Sequence, residues 1–294
     1  SKLAALLASF ERRRPMRAGS LIVTVYGDAI VPRGGSLWLS SLLDMMAGFG
    51  VEPGLVRTAV SRLVADGWFE RTRIGRNSSY CLSNKAADEF AAATARIYRA
   101  GEPVWDGEIE LVAIVTAETA QRTAIRDAML REGYGQVAVN VVLRPRIASE
   151  RKASSQVPNT IRMVARLDDP AEARKLAAVC WQLDELDRAY RQFLKIFEPV
   201  ARELADGLRL TDTQAFQLRI LLIHDWRRIV LRDPLLPRAL LHKDWPGTRA
   251  LALVSDIYRR TLTKSERWLD KTAANEQGPL PRPGPTLARR FQAS

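Results

Sequence analysis

Four side chains, Arg57, Thr58, Ser61 and Arg62, recur at one- and four-residue intervals, a spacing that brings them to one face of a helix. Short hydroxyls on such a face let a backbone approach closely, and an arginine fork matches the O6 and N7 acceptors of guanine. The chemistry on offer is base recognition in a DNA major groove. Arg71, Arg73 and Arg76 follow, and on a hairpin they would reach phosphates or the minor groove and hold the register. The plain alternative is a set of solvated charges on an ordinary helical hairpin.

Catalytic chemistry is thinly supplied. His224 and His242 are the two histidines, with neither the His-x3-His nor the His-Glu-x-x-His spacing of a metal site. No Gly-x-Ser-x-Gly elbow, phosphate loop or dinucleotide fingerprint occurs, so no enzyme activity, metal or cofactor is expected. Cys81 and Cys180 are too few for a disulfide framework or a cysteine-rich zinc site and read as packing residues.

The positioning elements come from pattern. After Pro32-Arg33-Gly34-Gly35, Ser36 is placed to cap a helix carrying Leu39, Leu42, Leu43 and Met46, which Gly48-Phe49-Gly50 stops. Pro53 opens a second helix whose Val56, Ala59, Val60, Leu63 and Val64 form a one-sided apolar stripe, closed by Asp66-Gly67. Arg57, Thr58, Ser61 and Arg62 lie opposite that stripe. Trp68–Ile74 and Ser79–Leu82 read as strands around a Gly75-Arg76-Asn77 turn. This is the order of a winged helix-turn-helix. Upstream, Ser20–Tyr26 reads either as a short strand or as the buried end of an opening helix.

Charge follows the same division. Residues 1–100 hold 14 basic and 8 acidic side chains, residues 101–200 hold 14 and 15, and the remainder 17 and 10, within a net +12 over 294 residues. A neutral middle between basic ends suits a polyanionic partner at selected surfaces. No apolar run approaches the roughly 20 residues of a membrane span, and the first residues do not suit a secretion signal, so the expected protein is soluble and cytoplasmic, without a membrane partner.

Two long stretches carry a family resemblance. SLIVTVYGDAIVPRGG, with VRTAVSRLVADGW at 56–68 and RTRIGRNSSYCLS at 71–83, resembles the DNA-binding domain of PaaX-type repressors, the phenylacetic-acid degradation regulators. IHDWRRIVLRDPLLPRALLHKDWPG at 223–247 resembles that family's second signature. Trp226 departs from the pattern where Tyr is expected, as does Asn84-Lys85-Ala86 after the wing. The resemblance implies a homodimeric repressor of aromatic catabolism genes on a palindromic double-stranded operator. It also implies an aryl-acyl coenzyme A effector, typically phenylacetyl-CoA.

The fold class expected is α+β and multidomain. It comprises a winged helix at 1–100, a ferredoxin-like α+β domain at 101–179, a helical domain at 180–275 and a Pro-rich tail at 276–294. In the middle domain Ile109–Val115, Val137–Leu143 and Ile161–Leu167 read as strands, with helices at Thr119–Arg131 and after Asp169-Pro170. The resemblance implies that this domain shares the fold of the Cas2 ribonucleases. An RNA-binding protein or metal-dependent nuclease is therefore the alternative function, although the first strand lacks a metal-binding Asp. A constitutive DNA-binding scaffold is a third reading. The tail from about Asn275 is expected to be poorly ordered unless it wraps onto another domain.

An acyl-CoA pocket needs arginines at its mouth and aromatics within. His224, Trp226, Arg227, Arg228, Arg232 and Trp245 supply those types. The competing reading pairs Arg227 and Arg228 with Asp225 and Asp233 as structural glue.

Overall fold

The computed structural model describes residues 1–12, 17–147 and 157–292. Helix α1 (Lys2–Glu11) is followed by α2 (Ala18–Val25), which widens into a π-turn at Tyr26–Ile30 and tightens into a 3-10 turn at Val31–Arg33. The open choice at Ser20–Tyr26 thus resolves to helix. Leu21, Ile22, Val25 and Tyr26 are all buried, and that packing overrides the strand preference of the β-branched residues. Then come β1 (Leu37–Trp38), α3 (Leu39–Ala47), α4 (Pro53–Ala65), β2 (Phe69–Ile74), β3 (Asn77–Leu82) and α5 (Asn84–Ile97). The strands pair antiparallel in the order β1-β3-β2, with Arg71 opposite Tyr80 and Arg73 opposite Ser78. Gly50 turns α3 into α4 at φ +71°, and a Cβ there would stand 3.1 Å from Glu11.

Ser36 does not cap α3. Trp38 occupies the cap position without a side-chain bond. Strand β1 intervenes, and the Ser36 hydroxyl instead bonds Ser79 Oγ and Glu276, each at 2.7 Å.

The chain divides into two compact units that cut across the four consecutive segments anticipated from sequence. Unit 1 comprises Ser1–Ala100, Gln192–Leu231 and Arg249–Ser294; unit 2 comprises Gly101–Arg191 and Arg232–Thr248. The physical cause is a shared core. Residues of α9 (Asp212–Val230) and α10 (Gly247–Thr272), including Phe216, Ile220, Leu221 and Leu269, pack with Tyr26, Met46, Val56, Val60 and Phe69. A Thr211/Gln214 capping box starts α9. Asp28 lies fully buried in this unit and accepts from Tyr98 (2.5 Å) and Tyr258 (3.0 Å), with Arg219 at 2.6 Å and Arg290 at 3.0 Å. Burial pushes both phenols up, Tyr258 to about 12, so they stay protonated as donors.

The Pro-rich tail is ordered and wraps onto unit 1. Strands β8 (Ala274–Asn275) and β9 (Gly278–Pro279) pair, Leu280, Leu287 and Phe291 are buried, and Arg290 reaches Asp28. Composition reports backbone freedom, whereas these few anchors decide the outcome.

In unit 2, β4 (Glu108–Ile114), β5 (Gly135–Ala138), β6 (Val141–Pro145) and β7 (Thr160–Arg166) form an antiparallel sheet in the order β5-β6-β4-β7. The single strand expected over Val137–Leu143 is a correction: the chain turns at Val139-Asn140 and returns as a hairpin. Helix α6 (Thr119–Arg131) contributes Met129 to a small core with Val112, Tyr134 and Val142. Helix α7 (Pro170–Cys180), capped by Asp169, comes so close to β5 that a Cβ on Gly135 would stand 2.7 Å from both Cys180 Cβ and the Trp181 ring. Helix α8 (Leu183–Ala205) begins in unit 2 and ends in unit 1. No helix among the described residues is long and apolar enough to cross a membrane.

Candidate nucleic-acid interface

Helix α4 buries Val56 and Val60 and leaves Arg57, Thr58, Ser61 and Arg62 on its exposed side. Thr58 Oγ1 donates back to Gly54 O at 3.0 Å, which leaves the hydroxyl's lone pairs outward. Two hydroxyls and two arginines therefore share one solvent face.

The hairpin carries the other charges. Arg71 and Arg73 alternate onto one face of β2, and Arg76 sits in the turn beside Gly75 at φ +59°. All three are exposed. Arg71 is steadied by Ser78 Oγ at 2.8–3.0 Å and Arg73 by Gly75 O at 3.3 Å. Among the described residues no carboxylate pairs with Arg57, Arg62, Arg71, Arg73 or Arg76. Elsewhere on the surface arginines do pair, as Arg267 does with Asp212 and Arg260 with Asp256. A cluster of uncompensated guanidinium groups across one helix face and one hairpin is what a phosphate-rich ligand needs.

The six residues gathered as an effector cluster are divided between the two units. His224, Trp226, Arg227 and Arg228 belong to unit 1, Arg232 and Trp245 to unit 2. Trp226 is fully buried, its Nε1 donating to Ile97 O at 2.9 Å, with Phe193 against its ring. His224 is buried with Nδ1 2.9 Å from Thr24 Oγ1. Arg227 donates to Ser20 O and Oγ, both at 2.8 Å, and Arg228 is exposed. In unit 2, Trp245 packs edge-on against Tyr190 and His242, while Arg232 lines a shallow pocket of about 190 Å³ with Trp181 and Leu186. Asp233 accepts from Tyr190 at 2.5 Å and from Leu235 N at 2.7 Å, fixing a turn in which Leu235 takes φ +56°.

Sequence reasoning missed two polar centres. One is the Asp28 network, whose partners are scattered from Tyr98 to Arg290. The other is Glu110 on β4, which binds Tyr134 (2.6 Å), Arg144 (2.9 Å) and Arg162 (2.9 Å). Burial pushes its carboxyl up, but the bonds from Tyr134 and Arg162 and the Arg144 charge outweigh it and hold the group below its ordinary value. Among the described residues no group of three His, Cys, Asp or Glu could hold a metal ion.

Comparison with known proteins agrees with this layout. Residues 17–86 match the family described as PaaX-like protein, and residues 181–271 match the PaaX-like protein C-terminal domain. The first match covers α2 to the start of α5, and the second covers α8 to α10. The chain belongs to the PaaX-like family. It is similar to the transcriptional repressor PaaX of Escherichia coli (strain K12), at 33% identity over 99% of this chain and 95% of that one. It also shares a fold with the uncharacterized protein Rv0674 from Mycobacterium tuberculosis. That structure has a TM-score of 0.51 and 23% identity, over 76% of this chain and 88% of that one.

Proposed function

We propose that this protein is a DNA-binding transcriptional repressor of aromatic, phenylacetate-type catabolism genes. The observation that carries the reading is the unpaired basic surface shared by α4 and the β2–β3 hairpin, in a chain similar along nearly its whole length to a repressor. Residues 1–100 act as a winged helix-turn-helix, with α4 as the recognition helix. Arg57, Thr58, Ser61 and Arg62 read base edges, while Arg71, Arg73 and Arg76 hold phosphates or the minor groove. Residues 101–179 act as a ferredoxin-like domain related in fold to Cas2. The β5-β6-β4-β7 order and antiparallel pairing support this assignment. The Glu110 carboxylate is taken up by arginines, which favours a structural role for the domain over nuclease chemistry.

The working form is a homodimer whose recognition helices stand about 34–36 Å apart, to meet successive major grooves of a palindromic operator. An aryl-acyl-CoA such as phenylacetyl-CoA releases it by binding one arrangement better than another, a coupling of about 1–3 kcal/mol. The test is fluorescence anisotropy on a duplex from the gene's upstream region and on scrambled DNA, with and without phenylacetyl-CoA. Specific binding lost with the thioester and kept with coenzyme A alone is the expected result. Equal affinity for both duplexes overturns the reading.

A further inference from the structure

Unit 1 contains a cavity of about 220 Å³ between α2, α5 and α9. Val23, Trp68, Phe90, Ile97 and Ile223 supply apolar walls, and Arg227 lines one side. Gly27 lets the Phe90 ring close the floor: a Cβ there would stand 3.1 Å from it. A cavity of about 150 Å³ with aliphatic and aromatic walls holds a benzene ring, so this one has room for a ring and two or three further heavy atoms. It is far too small for a coenzyme A moiety.

Its polar side is unusual. The Arg227 guanidinium bonds only the Ser20 carbonyl and hydroxyl, and its Nε is buried with no partner among the described residues. Burial, with Arg228 nearby, lowers its pKa. The other buried charge at the wall, Asp28, is neutralised by Arg219 and Arg290, and Glu89 is exposed to solvent. A half-buried guanidinium with a buried, unpartnered Nε and no counter-charge among the described residues, beside an apolar chamber, favours a ligand that brings an oxygen acceptor on an apolar body.

We propose that this cavity is a binding site for a ring-sized apolar group joined to a carboxyl-derived oxygen, the oxygen on Arg227 and the ring among Trp68, Phe90 and Ile97. The oxygen is either the carboxylate of a free aromatic acid or the carbonyl of its thioester, whose coenzyme would remain outside. The site shares only Arg227 with the six-residue cluster above, and it deepens the effector reading, on which it rests for its link to DNA. Trp68 provides that link: its N–H donates to Leu63 O of α4 at 2.9 Å, and its carbonyl accepts from Ser83 N just after β3 at 3.0 Å. A ligand against Trp68 therefore bears on both DNA-contacting elements.

Calorimetric titration with phenylacetate, phenylacetyl-CoA and coenzyme A distinguishes the two sources, using wild type, Ala93→Phe and Arg227→Gln. Ala93 lines the cavity away from the proposed DNA face, and its phenyl replacement fills part of the space. The expected result is saturable binding of the acid or its thioester, absent with coenzyme A. Binding should be lost in Ala93→Phe and weakened about tenfold or more in Arg227→Gln. Circular dichroism and operator binding of Ala93→Phe should match wild type. Undiminished binding in Ala93→Phe, or no binding of either ligand at about 10 mM or below, overturns the site and leaves the repressor reading intact. Loss of operator specificity with cavity binding retained does the reverse.

Discussion

Replacing Arg290 by Ala tests whether the C-terminal tail is a structural part of unit 1. The guanidinium is 7% exposed and donates to Asp28 O (2.8 Å), Asp28 Oδ1 (3.0 Å), Tyr258 OH (2.8 Å) and Gly27 O (3.2 Å), with its centre 3.9 Å from the Tyr98 ring. Breaking a buried ion pair typically costs about 3–5 kcal/mol. Here Arg219 stays 2.6 Å from Asp28, so the remaining carboxylate keeps a counter-charge and the lower end applies. Gly27 O loses its partner, which adds a fraction of the roughly 1–3 kcal/mol of an unsatisfied group. The total is about 3 kcal/mol. For a unit of this size that is a fall in Tm of about 6–12 °C. Differential scanning fluorimetry reads it directly, and removal of residues 286–294 should cost at least as much because Leu287 and Phe291 are also buried. A Tm within about 1 °C of wild type for either variant would refute the tail's anchoring role.

Three further outcomes follow from the packing and the ionisable groups. Gly135→Ala should lose about 1–3 kcal/mol in urea unfolding, because its methyl would meet Cys180 and Trp181. Hydrogen bonds from Arg267, then Lys271, hold the Asp212 carboxyl down from 3.8 to about 2. A depressed folded-state pKa stabilises above the unfolded value and is lost as pH falls through the folded one. The stability difference between wild type and Asp212→Asn should therefore be constant above about pH 5 and shrink as pH falls toward 2. Burial pushes the Cys180 thiol up to about 11, so iodoacetamide at pH 8 should label it slowly in the folded protein and rapidly in urea.

The residues show why some of this was legible in the sequence. Val56 and Val60 recur at helical spacing and face inward in the structure, so the polar face opposite them could be assigned without coordinates. The Gly75-Arg76 turn was legible because glycine at positive φ between two β-rich runs has few other uses. The β5–β6 hairpin was hidden because VAVNVVL is apolar on both sides of Asn140, and a lone Asn signals a turn weakly. The order of the tail stayed open in the sequence for a different reason. Four prolines suggest an open chain, but the anchor is Arg290 meeting an aspartate 262 residues earlier, and no local pattern records that partnership. The same distance concealed the cavity: its walls come from three helices and from Trp68 between α4 and β2.

In the proposed repressor, α4 reads base identity while the hairpin supplies affinity without sequence. Titrating Arg57→Ala, Arg62→Ala and Arg76→Ala against operator and scrambled duplexes at several salt concentrations tests it directly. Arg57→Ala and Arg62→Ala should each lose about 1–3 kcal/mol of discrimination. Arg76→Ala should weaken both duplexes alike and reduce the salt slope by about 1. Wild-type discrimination in the two α4 variants would show that α4 does not read the bases.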